Sequence, residues 1–183
     1  MKNVAEKSLI AKLAVQHIRP GDRIALDAST TAWQVALELP NVQLTVLTNS
    51  LQVAYLLRDR EQVEVISTGG ILQPKSLSFI GPLAEETMSS FYVNKAFISC
   101  EGFHTEYGLS ESNPLQAQIK QKMIEIAEEV YLLADHTKIQ VRNFVPVAPL
   151  SQIDTLITDS QVSHEYVDEL RRLNIEVLQA SFC

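Results

Sequence analysis

The chain of 183 residues has a hydrophobic content of 46%, which is sufficient for one domain with a full apolar core. Its 15 Lys and Arg residues stand against 22 Asp and Glu residues, and no basic cluster offsets the formal charge of −7. This charge argues against direct binding of nucleic acid, because affinity for phosphate backbones depends on clustered cations. No run of about 18 uninterrupted apolar residues is present, so no membrane partner is expected.

The first residues and the cysteines indicate the compartment. Charged residues interrupt the apolar positions of the opening segment, MKNVAEKSLIAKLAVQHI, so no signal peptide is predicted. Two cysteines, Cys100 and Cys183, are too few for a disulfide framework. We therefore expect a reducing, cytoplasmic setting.

Apolar runs of strand length alternate with segments of helical periodicity. In chain order the sequence predicts a helix over 3–19, a strand over 23–27, a helix over 31–39, strand 44–49, helix 50–58, strand 63–68, helix 82–90, strand 95–100, helix 114–128, strand 129–135, strand 155–159, helix 163–173 and strand 175–180. The polar, glycine-containing stretches 69–81 and 101–113 are predicted to be loops. Several strands are nearly continuous apolar runs, which is typical of parallel strands covered on both faces. The pattern predicts one α/β domain over 1–183, with a mainly parallel, Rossmann-like sheet and flanking helices.

Polar residues follow five of the predicted strands. Because the carboxyl ends of parallel strands meet at one edge of a sheet, we expect these residues to form one pocket there. Hydroxyls, amides, carboxylates and lysine without aromatic walls suit a small, polyhydroxylated, anionic ligand. The strand ends supply Asp27, Ser29, Thr30 and Thr31; Thr48, Asn49 and Ser50; Gly69 and Gly70; Glu101 and Gly102; and Asp135 with Lys138.

Each of these short motifs also has a purely structural interpretation. The sequence DASTT (27–31) fits either phosphate at a helix N-terminus or a helix N-cap with spare hydroxyls. The motif TNS (48–50) is more often a cap, and GG (69–70) is more often a turn. A helix lysine such as Lys120 is usually solvated. His104 and His136 lack partners at metal-ligand spacing, so neither a metal site nor a cofactor is expected.

The order and spacing of longer motifs resemble a known family. The motifs are EKSLIAKLAVQHIRPGDRIALDASTTAWQVALEL, LTVLTNSLQVAYLL, VEVISTGGILQPKSLSFIGPLAEETM, NKAFISCEGFHTEYGLSESN, QAQIKQKMIEIAEEVYLLADHTK and IDTLITD. From about residue 5 to residue 160 they are similar to the effector-binding domain of DeoR-type bacterial transcriptional regulators. The resemblance implies a fold similar to ribose-5-phosphate isomerases and CoA transferases, used as a sensor of sugar phosphates.

Members of that family usually carry an N-terminal winged helix-turn-helix that binds operator DNA, and they are commonly oligomeric. No helix-turn-helix pattern is found in this sequence, so we expect an isolated sensor domain that reaches DNA only through such a module. A homo-oligomer is also expected, with the segments 3–19 and 82–93 as candidate contact faces.

The resemblance also implies an effector site. Among its residues, Thr30 and Thr31 are the preferred candidates for contact with the phosphate. The sequence departs from the family at Gln116-Ala117, where members commonly have Glu-Ala shortly before the helix lysine. Gln cannot act as a base in ordinary conditions, so this difference argues against an enzyme. The implied ligand-binding residues are Asp27, Ser29, Thr30, Thr31, Thr48, Asn49, Ser50, Gly69, Gly70, Glu101, Gly102, Gly108, Leu109, Lys120, Asp135 and Lys138.

Two further hypotheses remain beside the sensor. A sugar-phosphate isomerase would use Glu101 or Asp135 as base and a lysine to stabilise an enediolate. An oligomerisation scaffold with a vestigial pocket would need neither the base nor the lysine. The loop residues His104, Tyr107 and Glu111 fit sugar recognition and a solvated loop equally well.

Overall fold

The computed structural model describes residues 3–181. The helices are α1 (Val4–Ala14), α2 (Thr30–Glu38), α3 (Leu51–Leu57), α4 (Pro82–Ser89), α5 (Pro114–Ile126) and α6 (His164–Arg172). The strands are β1 (Arg23–Leu26), β2 (Leu44–Thr48), β3 (Val63–Ser67), β4 (Ile71–Gln73), β5 (Ser78–Ile80), β6 (Val93–Ile98), β7 (Gly102–His104), β8 (Gly108–Glu111), β9 (Ala127–Leu133), β10 (Val145–Ala148), β11 (Thr155–Asp159) and β12 (Glu176–Ala180).

Seven strands form one sheet in the order β12-β11-β9-β6-β1-β2-β3, and every pair in it is parallel. The predicted α/β fold with a mainly parallel sheet is therefore confirmed. From β1 the chain first adds β2 and β3 on one side, and later adds β6 on the other. This reversal makes the gap between β1 and β6 the switch point at which ligands bind in open α/β sheets.

Helices cover both faces of the sheet, because its strands are apolar on both. In β1, Ile24 and Leu26 belong to one hydrophobic cluster and Ala25 to the other. The cluster that includes Ile24 also contains buried residues of α1, α2 and α3. The opposite cluster contains buried residues of α4, α5 and α6. The result is a three-layer arrangement with two separate cores.

The two stretches predicted as loops contain short strands, so that prediction is wrong in detail. Within 69–81, β4 and β5 form an antiparallel hairpin. Within 101–113, β7 and β8 pair with each other, and β8 also pairs with β10. These short strands lack a continuous apolar run such as that of β1, and their partners are supplied by tertiary contacts. Both hairpins lie next to the candidate site described below.

The helix predicted over 3–19 is also shorter than expected. Helix α1 ends at Ala14, and a 3₁₀ turn continues it over Val15–His17. Across residues 3–181, no helix is both long and apolar enough to cross a membrane.

Candidate ligand-binding site

A polar cavity of about 360 Å³ opens beyond the carboxyl ends of the central strands. Residues at the ends of β1 and β6 form its floor, so it lies at the switch point of the sheet. The remaining groups come from helices α1, α2, α3 and α5, from the β4–β5 and β7–β8 hairpins and from the 3₁₀ turn His136–Lys138 that follows β9. The cavity is lined by Lys7, Ala28, Ser29, Thr30, Thr31, Gln52, Lys75, Ser76, Leu77, Ser99, Cys100, Glu101, Glu111, Gln116, Lys120 and Lys138.

The floor is organised by a buried cation between two buried carboxylates. The Nζ of Lys120 lies 2.5 Å from Oδ2 of Asp27 and 3.1 Å from Oε1 of Glu111. It also donates to the carbonyl oxygen of Ser99 at 2.6 Å. Asp27 accepts two further bonds, from the backbone N–H groups of Ser29 and Ser99. The group therefore ties the ends of β1 and β6 to helix α5.

These contacts set the charge on each group. Burial lowers the pKa of Lys120, but the carboxylates of Asp27 and Glu111 outweigh it and hold that pKa above its ordinary value. Burial raises the pKa of Glu111, and the attraction of Lys120 offsets only part of this effect. Lys120 is therefore charged and already neutralised, which makes it a weak partner for a ligand anion.

The N-terminus of α2 forms a second wall. Ser29 is the N-cap, and its Oγ accepts from the N–H of Ala32 at 3.0 Å. Thr30 accepts at its Oγ1 from Nζ of Lys7 at 3.0 Å, and Thr31 follows in the first turn. The N-cap interpretation of DASTT is confirmed for Ser29. Ser29, Thr30 and Thr31 all line the cavity, and phosphate binding by them remains a prediction. The free N–H groups of this turn favour an anion.

Three cavity lysines differ from Lys120 in having no carboxylate partner. Among residues 3–181, the ion pairs involve neither Lys7, Lys75 nor Lys138. Burial lowers the pKa of Lys7, the carboxylate of Asp135 opposes this effect, and the nearby charge of Lys138 adds to the lowering. The cavity therefore presents positive charge that the protein neutralises only in part, since Asp135 acts on Lys7 and Lys138 without an ion pair to either.

Gln116 joins α5 to the β4–β5 hairpin. Its Nε2 donates to Oγ of Ser78 at 2.6 Å and to Oε1 of Gln73 at 3.0 Å. The Oγ of Ser76 lies 3.3 Å from the same nitrogen. Because an amide nitrogen cannot accept a proton, this position holds the hairpin in place and offers no base.

Cys100 lines the cavity as a neutral thiol. Burial raises its pKa to about 12. The thiolate, which is the nucleophilic form, is therefore not populated near neutral pH. No group of three or more His, Cys, Asp and Glu side chains within residues 3–181 is arranged to hold a metal ion.

Six of the residues proposed from the sequence lie on the cavity wall: Ser29, Thr30, Thr31, Glu101, Lys120 and Lys138. Asp27 lies directly behind the wall, since it is buried against Lys120. These positions are compatible with the prediction that they bind a ligand, which remains a prediction.

The TNS motif lies outside the cavity lining and connects neighbouring elements instead. Thr48 donates to the carbonyl of Leu26 at 2.7 Å and accepts from the N–H of Ser50. Asn49 donates to the carbonyl of Phe79 at 3.1 Å. Ser50 caps α3. These bonds join β1, β2 and the β4–β5 hairpin below the cavity floor.

The proposed glycines also lie away from the cavity lining, and three of them, Gly70, Gly102 and Gly108, lie at points of close backbone approach. A Cβ at Gly70 would lie 2.9 Å from the carbonyl oxygen of Ile80, and one at Gly108 would lie 2.1 Å from that of Ala148. Gly108 also has φ of +71°, which favours glycine. Gly69, Gly102 and Leu109 are likewise absent from the lining, and Leu109 is fully buried in the core.

Asp135 is buried beside the cavity rather than in its wall. It accepts from the N–H of Thr137 at 3.0 Å, from the Thr137 hydroxyl and from Nδ2 of Asn3. Burial raises its pKa, but these hydrogen bonds outweigh burial and leave the pKa below its ordinary value.

Sequence reasoning missed several lining residues. Lys7 is one polar position of an ordinary amphipathic helix, and Lys75 lies in a stretch predicted to be a loop. Neither has a local signal, because each reaches the cavity through the packing of α1 and the hairpin. The other lining residues outside the implied ligand-binding set are Ala28, Gln52, Ser76, Leu77, Ser99, Cys100, Glu111 and Gln116. Of these, Ala28, Ser99 and Cys100 lie at the ends of predicted strands.

Solved structures share this fold at low sequence identity. Ribose 5-phosphate isomerase A from Methanocaldococcus jannaschii has a TM-score of 0.53 and 18% identity, over 73% of this chain and 53% of that one. Translation initiation factor eIF-2B from Pyrococcus horikoshii OT3 has a TM-score of 0.56 and 16% identity, over 82% of this chain and 61% of that one. The similarity to isomerase-type folds is confirmed, and at these identities it shows the fold alone.

Curated relatives are transcriptional regulators. The uncharacterized HTH-type transcriptional regulator YulB of Bacillus subtilis (strain 168) is 47% identical over 96% of this chain and 68% of its own length. The HTH-type transcriptional repressor GlcR of the same strain is 38% identical, over 97% and 69%. The L-fucose operon activator of Haemophilus influenzae is 36% identical, over 86% and 63%. The chain thus spans about two thirds of the length of these relatives.

A family model confirms the resemblance drawn from the sequence motifs. The model of the DeoR C terminal sensor domain matches residues 2–160, which include every strand and helix that forms the cavity. The chain therefore belongs to the DeoR family, as a C-terminal sensor domain of its transcriptional regulators.

Proposed function

We propose that this domain binds a phosphorylated sugar in the cavity at the carboxyl edge of the sheet. Binding would in turn regulate how a helix-turn-helix module of the same protein binds DNA. The observation that carries the proposal is the set of cavity lysines without carboxylate partners: Lys7, Lys75 and Lys138. Cations that the fold leaves unpaired in a polar cavity suit an anionic ligand.

The phosphate is assigned to the wall formed by α2. Lys7 and Thr30 are in contact there, and Lys138 is near enough to act on Lys7. The hydroxyls of Thr30 and Thr31 and the first N–H groups of α2 add uncharged donors. Phosphate oxygens accept all of these, and the helix dipole adds to the attraction.

The sugar is assigned to the wall around Lys120. Glu101 and Glu111 present carboxylate oxygens, which accept from sugar hydroxyls. Lys120 is neutralised by Asp27 and Glu111, so this end attracts no second anion. One anionic group and several hydroxyls on the ligand satisfy both walls.

The remaining sequence-derived positions enter the proposal as supporting residues. Thr48, Asn49 and Ser50 hold the strand ends, and the glycines set the hairpin backbones. The relatives include an L-fucose operon activator, which agrees with a sugar as the effector. We propose the cytoplasm as the location, and no catalytic activity.

Self-assembly is a further part of the proposal. Within the segment 82–93, Leu83, Phe91 and Tyr92 are exposed apolar side chains, with Tyr92 79% exposed. Such side chains are depleted at free surfaces and enriched at subunit contacts. Sedimentation of the domain should give a mass above 20.4 kDa, and a purely monomeric species would remove this part of the proposal.

The isomerase alternative has one observation in its favour. Glu111 is a cavity carboxyl with a raised pKa beside the charged Lys120, which is an arrangement suited to moving a proton next to a carbonyl. Turnover is therefore monitored in the same experiment that tests binding.

The test is a thermal-shift screen of sugar phosphates, each paired with its free sugar. A ligand at 100 times its dissociation constant adds about 2.7 kcal/mol, which is a shift of roughly 5–11 °C for a domain of this size. A shift with a phosphorylated sugar, absent with the free sugar and unaccompanied by turnover, supports the sensor. Turnover supports the isomerase, and no shift with any member contradicts both.

A matched pair of variants locates the binding. Lys138→Gln should reduce the shift, since it removes a lining cation. Lys12→Gln, an equal charge change on the exposed face of α1, should leave it unchanged. Equal loss in both variants would point to a non-specific effect of charge.

A further inference from the structure

Helix α1 begins at the mouth of the cavity. Asn3, its N-cap, donates to Oδ1 of Asp135 at 3.1 Å, and Glu6 accepts from Nε2 of Gln161 at 3.3 Å. Asp135 follows β9 and Gln161 follows β11, so the first turn of α1 lies over the carboxyl edge of the sheet. One turn later, Lys7 lines the cavity itself.

Lys7 differs from the other buried lysines of residues 3–181. Lys7, Lys95 and Lys120 are 9%, 8% and 6% exposed. Lys95 pairs with Asp22 at 2.7 Å, and Lys120 pairs with two carboxylates. Lys7 has only the neutral hydroxyl of Thr30 as its side-chain partner. The carboxylate of Asp135 attracts Lys7 without forming an ion pair with it, and burial outweighs this attraction, so the pKa of Lys7 is lowered. A buried ammonium whose charge is only partly compensated is unfavourable, which indicates that an anion completes this position.

The two parts of α1 are held differently. The later part is anchored by apolar side chains, since Ile10, Ala11 and Ala14 are fully buried in the core. At the start, Val4 is 46% exposed, and the side-chain bonds there are polar contacts at the domain surface. The position of the first turns therefore depends on polar contacts, and Lys7 provides the most buried of them.

We propose that Lys7 binds the anionic group of the ligand directly, and that the ligand thereby fixes the first two turns of α1 to the carboxyl edge of the sheet. This inference rests on the proposed function, because it requires an anion in the cavity. It adds that the order of the first turns of α1 depends on the ligand. When the ligand binds, the ammonium of Lys7 exchanges the neutral hydroxyl of Thr30 for an anionic partner. Occupancy of the site is then transmitted to the first helix of the domain.

The experiment uses inorganic phosphate as the probe, with chloride at equal ionic strength as the reference. Calorimetry measures binding, and hydrogen exchange measures protection of the amides of residues 7–11 in α1 and 30–34 in α2. Three variants are compared with the parent: Lys7→Met, Lys7→Arg and the control Lys12→Met on the same helix. Met replaces the buried charge with an apolar chain of similar length, so Lys7→Met should fold.

We expect phosphate to slow exchange in both helices of the parent and of Lys12→Met. In Lys7→Met the affinity for phosphate should fall about tenfold or more, and the protection of α1 should disappear. Lys7→Arg should keep the protection, because it keeps the charge.

The outcomes separate this inference from the function on which it rests. Phosphate binding that protects α2 but leaves exchange in α1 unchanged overturns the inference and leaves the proposed site intact. Unchanged affinity in Lys7→Met overturns it as well. Absence of phosphate binding by the parent removes both.

Discussion

Replacing Lys120 by Met should strongly destabilise the domain. The Nζ of Lys120 has three short contacts, to Asp27, Glu111 and the carbonyl of Ser99. The carboxylate side chains are only 1% and 6% exposed, so water cannot replace the lost cation. Removing one partner from a buried ion pair costs about 3–5 kcal/mol. For a domain of this size, that lowers Tm by roughly 6–20 °C.

The assay is urea denaturation with thermal melts, at neutral pH and in mild acid. Without Lys120, Glu111 loses the attraction that offsets part of the effect of burial, so its pKa lies still further above that of the unfolded chain. The variant should therefore recover part of its deficit as the pH falls, because protonation removes the unpaired negative charge. Adding Asp27→Asn to Lys120→Met should also recover stability, since it removes one of the two buried carboxylates that have lost their cation.

Lys122→Met is the matched control on the same helix. Lys122 pairs with Glu125 at 2.9 Å on the exposed face of α5, where water screens the pair. Its Tm should equal that of the parent within error. If Lys120→Met were as stable as Lys122→Met, the reasoning from buried charge would be refuted.

The double variant Thr30→Val, Thr31→Val should keep its circular dichroism spectrum but bind phosphate about a hundredfold or more weakly, because two hydroxyl donors are lost; calorimetry that shows parental affinity would contradict the phosphate assignment. Gln116→Leu should cost about 0.5–1.5 kcal/mol, because the buried Oγ of Ser78 loses Nε2 of Gln116 and keeps only the hydroxyl of Ser76 as a side-chain partner. In this variant, amide exchange should accelerate in the β4–β5 hairpin. A uniform acceleration over the domain would contradict the role of Gln116 in holding the hairpin locally. Asp135→Asn should be less stable than the parent above about pH 3.9, the unfolded-state value. Burial raises the pKa of Asp135, but its hydrogen bonds outweigh burial, so the folded-state pKa lies below the unfolded value. The extra stability of the parent should therefore vanish as the pH falls through the folded-state pKa. A difference in stability that persists in acid would show that the charge is not its source.

Helix and strand positions were predictable because their signals are local. Apolar runs such as RIALD and periodic segments such as 114–128 correspond to β1 and α5, and Asn113 caps α5 through its Oδ1, as a helix start requires. The short hairpins β4–β5 and β7–β8 were missed, since their pairing partners are not encoded in three or four residues.

The edge of the sheet that holds the site was also predictable, but the role of each residue there was not. The sequence of the motif TNS fits either a helix cap or a ligand site. In the structure, Ser50 caps α3, and the motif connects β1, β2 and the β4–β5 hairpin. Lys120, which the resemblance implies as a ligand-binding residue, lines the cavity, but its charge is already paired with Asp27 and Glu111.

The sequence alone determined the fold class, the parallel sheet and the polar edge at which its strands end. These follow from hydrophobic periodicity and turn chemistry, which act over a few residues. The tertiary structure decided which cations remain unpaired. Lys7 and Lys75 reach the cavity because α1 and the β4–β5 hairpin pack over the same strand ends. Such proximity arises from contacts between distant segments, and no local pattern contains it.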